Sequence, residues 1–86
     1  MDYKVSYKNS VSKDLKKIDK KSCLILLDKI EKTLYKNPKI GKELSGNYSG
    51  LFSYRVGDYR IIYTIISDYE ILILRIAHRK DVYDKL

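Results

Sequence analysis

The chain has 86 residues, 44% of them apolar and 34% charged, and carries a formal charge of +7. That is enough for one domain with a modest core. A single cysteine, Cys23, excludes an internal disulfide, and one Cys with one His cannot build a structural zinc site. The opening MDYKVSYKN has no apolar signal region and no apolar run is long enough to cross a bilayer, so the chain reads as cytoplasmic with no membrane partner.

Residues 2–8 alternate. Tyr3, Val5 and Tyr7 point one way, Asp2, Lys4, Ser6 and Lys8 the other, as in a half-exposed edge strand. Asn9 or Ser10 is placed to cap a helix, in which Val11, Leu15 and Ile18 recur at helical spacing. Lys13, Lys16, Lys17 and Lys20 take its other faces. Ser22 opens a second helix with Cys23, Leu26, Leu27, Ile30 and Leu34 as its buried stripe and Asp28 set i,i+4 from Lys32. Asn37-Pro38 stops it, because the proline ring disfavours helical geometry before it. The two helices form an αα-hairpin. Residues 39–50 are a glycine-bearing connector, with Leu44 plugging it onto the body; the spacing is not that of a phosphate-cradling loop.

Three strands follow, Leu51–Val56, Tyr59–Ile66 and Glu70–Ala77, joined by turns at Gly57-Asp58 and Ser67-Asp68. Short turns between β-branched runs predict an antiparallel meander. The fold class is therefore α+β: an N-terminal strand, an αα-hairpin and a three-stranded meander, forming one sheet packed on the helices in a single domain, 1–86.

Charge is divided along this order. Twelve of the fourteen lysines lie at or before Lys42, whereas Arg55, Arg60, Arg75, Arg79 and the only histidine, His78, all lie in the last third. Lysine is a hydrated point charge; arginine is a planar fork that matches phosphate. A lysine-rich helical surface is also what plain solubility requires. The arginines are more specific. Strict alternation puts Tyr59, Ile61, Tyr63 and Ile65 on one face of the middle strand and Arg60 on the other. Phe52, Tyr54 and Val56 are then core, and Ser53 and Arg55 turn outward. Arg55 and Arg60 flank the Gly57-Asp58 turn, and the end of the third strand brings His78 and Arg79 towards Arg60. Arg75, inside an apolar strand, is expected to make structural or partner contacts.

The stretch YRVGDYRIIY (Tyr54–Tyr63), the basic helical hairpin before it and the ending HRKDVY (His78–Tyr83) resemble the RelE/ParE toxin superfamily of type II toxin–antitoxin systems, and the ending resembles its RelE-like branch. The resemblance covers nearly the whole chain. It implies the RelE-like microbial ribonuclease fold and a ribosome-dependent endoribonuclease that cleaves mRNA in the A site. There the 2′-hydroxyl attacks the neighbouring phosphate, leaving a cyclic phosphate and a 5′-hydroxyl. It implies a RelB-like antitoxin as cognate partner and binding to operator DNA only as the toxin–antitoxin complex.

The resemblance also carries roles. Arg60 matches the arginine at the scissile phosphate and Arg79 a second one near the leaving group. Tyr83 matches the terminal tyrosine that stacks on a base or orients the nucleophile. Arg55 falls where the family has a basic residue on the preceding strand. Ser53 departs from the pattern, at a position often basic in the family; His78 stands where some members have another basic residue. Such a cleavage needs a proton acceptor, cations around the phosphorane and a proton donor. Arginine supplies the cations but not the proton, and an imidazole, which titrates near neutrality, makes His78 the natural shuttle, with Tyr83 the alternative base. Lys80 and Lys13, Lys16, Lys17 and Lys20 are expected to contact RNA or the ribosome. No metal and no cofactor are expected. Two other functions compete: a ParE-like DNA gyrase inhibitor without nuclease activity, and an inactive module that only binds its partner.

Overall fold

The computed structural model describes residues 3–86 and, at positions 84 and 85, the backbone only. Asp2, the outermost residue of the expected first strand, lies outside the described residues. In chain order the elements are β1 (Lys4–Tyr7), α1 (Asn9–Lys16), α2 (Lys20–Lys29), a wide π-type turn (Ile30–Leu34), β2 (Lys42–Glu43), β3 (Leu51–Val56), β4 (Tyr59–Ser67) and β5 (Glu70–His78). A short helical turn, Val82–Lys85, closes the chain. One five-stranded sheet runs in the order β1-β5-β4-β3-β2. This is the α+β architecture expected, with one addition: the connector contributes β2, pairing Lys42 with Ser53 and Glu43 with Phe52.

The strand β1 lies parallel to β5 and ends where Tyr7 meets Ile73. Beyond that point the edge of β5 is open, and α1 closes it with side chains. Ser10 Oγ donates to the Leu74 carbonyl at 2.6 Å, and Asp14 Oδ2, one turn later on the same face, accepts from Ile76 N at 3.0 Å. Neither Asn9 nor Ser10 caps α1, which starts after Lys8 without a side-chain cap, because the Ser10 hydroxyl is committed to the sheet. Asp14 is 2% exposed and also takes Arg75 Nη2 at 2.6 Å. Arg75 is thus a structural residue that keeps a buried carboxylate paired.

The cap of α2 is Asp19, not Ser22. Its carboxylate accepts from Ser22 N at 2.9 Å, and that bond to the backbone holds it below the usual carboxylate range. Leu26, Ile30 and Leu34 form the buried stripe. Residues four apart drift round an α-helix, and the wider turn at Ile30–Leu34 offsets the drift so that Leu34 still reaches the core. Val11 is fully buried, Leu15, Ile18 and Leu27 are partly so, and Cys23 is half-buried with Sγ 3.3 Å from the Leu15 carbonyl. Asp28 and Lys32 form the expected surface pair at 3.0 Å.

Against these residues the sheet packs Ile61, Tyr63, Ile71, Ile73 and Ile76. Tyr63 is the largest fully buried side chain. Its ring stacks on Phe52 at 5.4 Å, its hydroxyl donates to the Pro38 carbonyl at 2.6 Å, and it accepts from Gly41 N at 3.1 Å. Burial pushes its pKa up to about 12. It ties the connector to the sheet.

The strand β5 is not regular. Ile73 pairs with Tyr63 but Arg75 pairs with Ile62, leaving Leu74 as an extra residue. The helix-facing set therefore switches from odd positions (Ile71, Ile73) to even ones (Ile76, then His78). The outer face has its own small cluster, Ile62, Ala77 and Val82, with Leu44, Leu51 and Leu74 packed against it. Val82 pins the tail across this face, and Leu44 holds the connector on it as expected.

Candidate active site

The β3–β4 hairpin turns through Gly57-Asp58. Gly57 has φ +60°, a left-handed conformation that suits glycine at the first position of a two-residue turn. Val56 pairs with Tyr59, so the next pair out is Arg55 with Arg60. Cross-strand partners share a face, so two like charges stand opposite one another. Arg55 Nε donates to the Gly57 carbonyl at 3.0 Å, and Arg60 Nη1 donates to Ser53 Oγ at 3.1 Å. Ser53 does lie on this outer face, but it is 3% exposed rather than open to solvent. The hydroxyl holds the Arg60 guanidinium against β3 on the outer face.

The tail begins at the same end. Arg79 N donates to the Asp58 carbonyl at 2.8 Å, which fixes the start of the tail on the hairpin turn. Arg79 and Lys80 are exposed there. Among the described residues the ion pairs are Asp28–Lys32 and Asp14–Arg75, and Arg55, Arg60 and Arg79 have no ion-pair partner among them. A structural role would pair them; a polyanion site leaves them free.

The bulge at Leu74 alters one expected neighbour. His78 pairs with Tyr59 and its ring meets that ring edge-on at 5.9 Å, so it lies on the helix side of the sheet, whereas Arg60 lies on the outer side. Its Nδ1 accepts from Lys80 N at 3.2 Å, leaving Nε2 to carry the proton of the neutral ring. Arg60, Arg79 and Arg55 converge at one end of the sheet; His78 flanks them from the opposite face.

Tyr83 is 40% exposed beyond the buried Val82. Its ring meets Tyr48, from the short helical turn Gly46–Tyr48, at 6.1 Å and 36°. Nothing in the spacing of the connector marked Tyr48 as a neighbour of the tail. Lys13, Lys16, Lys17 and Lys20 are all exposed, on α1, just after it and at the start of α2.

The small sheet with arginines at one end, a pinned tail and helices behind is the fold of the toxin of a type II toxin–antitoxin pair, as similarity to known proteins shows. A family model described as the ParE toxin of type II toxin–antitoxin system, parDE, matches residues 5–83. The curated toxins RelG and RelE of Mycobacterium tuberculosis are 32% and 31% identical, covering 96% and 94% of this chain and 98% and 86% of theirs. Among solved structures, the toxin–antitoxin complex RelBE2 of M. tuberculosis contains a chain with TM-score 0.85 and 30% identity, over 92% of this chain and all of that one. The RelB–RelE complex of Methanococcus jannaschii gives 0.67 and 27%, over 94% and 98%. The chain belongs to the RelE/ParE superfamily of type II toxins, on its RelE-like branch. Among the described residues no helix is long and apolar enough to cross a membrane.

Proposed function

We propose that this toxin is a ribosome-dependent endoribonuclease that cleaves mRNA by attack of the 2′-hydroxyl on the adjacent phosphate. The observation that carries the reading is the opposed pair Arg55 and Arg60 with Arg79 beside them, all without ion-pair partners among the described residues. Three fixed cations suit a phosphorane that gathers negative charge, and preorganised charge of this kind commonly contributes more to catalysis than any other single effect. Arg60, held by Ser53, takes the scissile phosphate; Arg79 takes the leaving-group side; Arg55 reinforces the field. Tyr83, on the tail that crosses the Arg60 face, stacks on a base or orients the nucleophile. The proton carrier is His78 through Nε2, reaching round the sheet end from the helix side, or the Tyr83 hydroxyl on the Arg60 side. Lys80, Lys13, Lys16, Lys17 and Lys20 contact RNA and ribosomal phosphates, an attraction that weakens steeply with salt. The protein acts in the cytoplasm without a cofactor and is neutralised by a RelB-like antitoxin, and the complex, not the free toxin, binds operator DNA.

The family model's parDE description supports a second reading, inhibition of DNA gyrase without RNA cleavage. Expression without the antitoxin separates the two: cut mRNA in arrested cells supports the nuclease, DNA damage with intact mRNA supports gyrase. Growth without arrest would instead mark an inactive binding module.

A further inference from the structure

Beside the tail, the outer face holds a groove of about 280 Å³ that the chemistry above does not use. Its walls include Lys8, Asn47, Tyr48, Leu51, Leu74 and Arg75. Four separate segments supply these residues. Lys8 comes from the junction of β1 and α1, Asn47 and Tyr48 from the connector, Leu51 from the start of β3, and Leu74 and Arg75 from the bulge in β5. Together they present a cation, an amide, an aromatic ring and an apolar floor. Arg75 is committed to Asp14 at 2.6 Å, so the free charge is that of Lys8, which is exposed.

These are the parts that hold one unpaired nucleotide. A base stacks on an aromatic ring above apolar side chains, its edge meets an amide, and its phosphate meets an ammonium. The Tyr48 and Tyr83 rings are in direct contact at 6.1 Å, a distance at which aromatic pairs touch, so no base enters between them. Tyr48, which also lines the groove, is the ring available to a base there. We propose that this groove is a second nucleotide subsite, with Tyr48 as its stacking platform and Lys8 as its phosphate cation, for the nucleotide next to the one on Tyr83. The order of the two nucleotides rests on the RNA reading above; occupancy of the groove by a nucleotide does not depend on cleavage.

The test is a titration of the full chain with adenosine 5′-monophosphate, followed by NMR, with inorganic phosphate alone as the control. The expected result is shifts centred on Asn47, Tyr48 and Leu74, with affinity about fivefold or more weaker in Tyr48→Leu and in Lys8→Gln and retained in Tyr48→Phe. Unchanged affinity in Tyr48→Leu, or the same shifts from phosphate alone, would overturn the subsite. Shifts here on adding the antitoxin, with none from the nucleotide, would overturn it too and give the groove to the protein partner. A protein that binds the nucleotide here yet cuts no ribosome-bound mRNA would retain the subsite and lose the cleavage reading.

Discussion

Arg60 faces Arg55 directly across the β3–β4 hairpin, and its Nη1 is held by the buried hydroxyl of Ser53 at 3.1 Å. Opposed like charges destabilise a sheet by a few tenths of a kcal/mol or more, so the arrangement weakens the fold slightly. Replacing Arg55 by Thr should leave thermal stability unchanged or slightly raised while cleavage falls. Arg60→Ala should reduce single-turnover cleavage by about 100-fold with the circular dichroism spectrum intact. Undiminished growth arrest by a folded Arg60→Ala protein would remove this residue from the site.

His78 sits on the Tyr59 side of the sheet with Nδ1 engaged by Lys80 N. If Nε2 shuttles the proton, His78→Gln should abolish one limb of the pH–rate profile for single-turnover cleavage. A lower rate with the profile's shape preserved would leave His78 only the task of ordering the turn that carries Arg79 and Lys80.

The carboxylate of Asp14 serves two partners, Arg75 and the open N–H of Ile76. Asp14→Ala strands both, and breaking a buried pair from one side costs about 3 kcal/mol. Urea denaturation should show a loss of that order. A loss below about 0.5 kcal/mol, the usual range for a surface change, would mean that the α1 seam does not hold the edge of β5.

Tyr63 should make the fold sensitive to alkali. Its pKa is raised to about 12 from 10.0. Between those values the unfolded chain releases the proton while the folded one keeps it, so stability present below pH 10.0 is lost as pH rises towards 12. Tyr63→Phe should flatten that decline. At neutral pH it should cost about 1–3 kcal/mol, since the Pro38 carbonyl and Gly41 N–H lose their partner. A Cβ at Gly41 would run into the Tyr63 hydroxyl, so Gly41→Ala should destabilise as well. Equal slopes of stability against pH in both proteins would contradict the assignment.

The meander was legible because alternation in YRIIYTII and the Gly57-Asp58 turn fix strand and register together. That placed Arg55 opposite Arg60 and brought Arg79 to the same end. The bulge at Leu74 was not legible: one leucine in a strand of alternating isoleucine and leucine leaves no compositional mark, yet it reverses every side chain after it. This is why His78 lies across the sheet from Arg60. Asp14 reads as one charge on a lysine-rich helix, and only the end of β1 at Tyr7 reveals why it is buried. Ser53 reads as outward, as it is, and only the Arg60 guanidinium on its hydroxyl shows that it is not open to solvent. Tyr48 and Tyr83 are 35 positions apart with no periodic link, and the tail's anchor at Val82 brings them together.

The cleavage reading stands or falls on adding the purified toxin to ribosomes programmed with a defined mRNA and mapping the 5′ ends by primer extension. Cuts within the A-site codon are expected, absent without ribosomes and lost in Arg60→Ala. Intact mRNA from a folded protein that still arrests growth would contradict the reading and point to gyrase as the target.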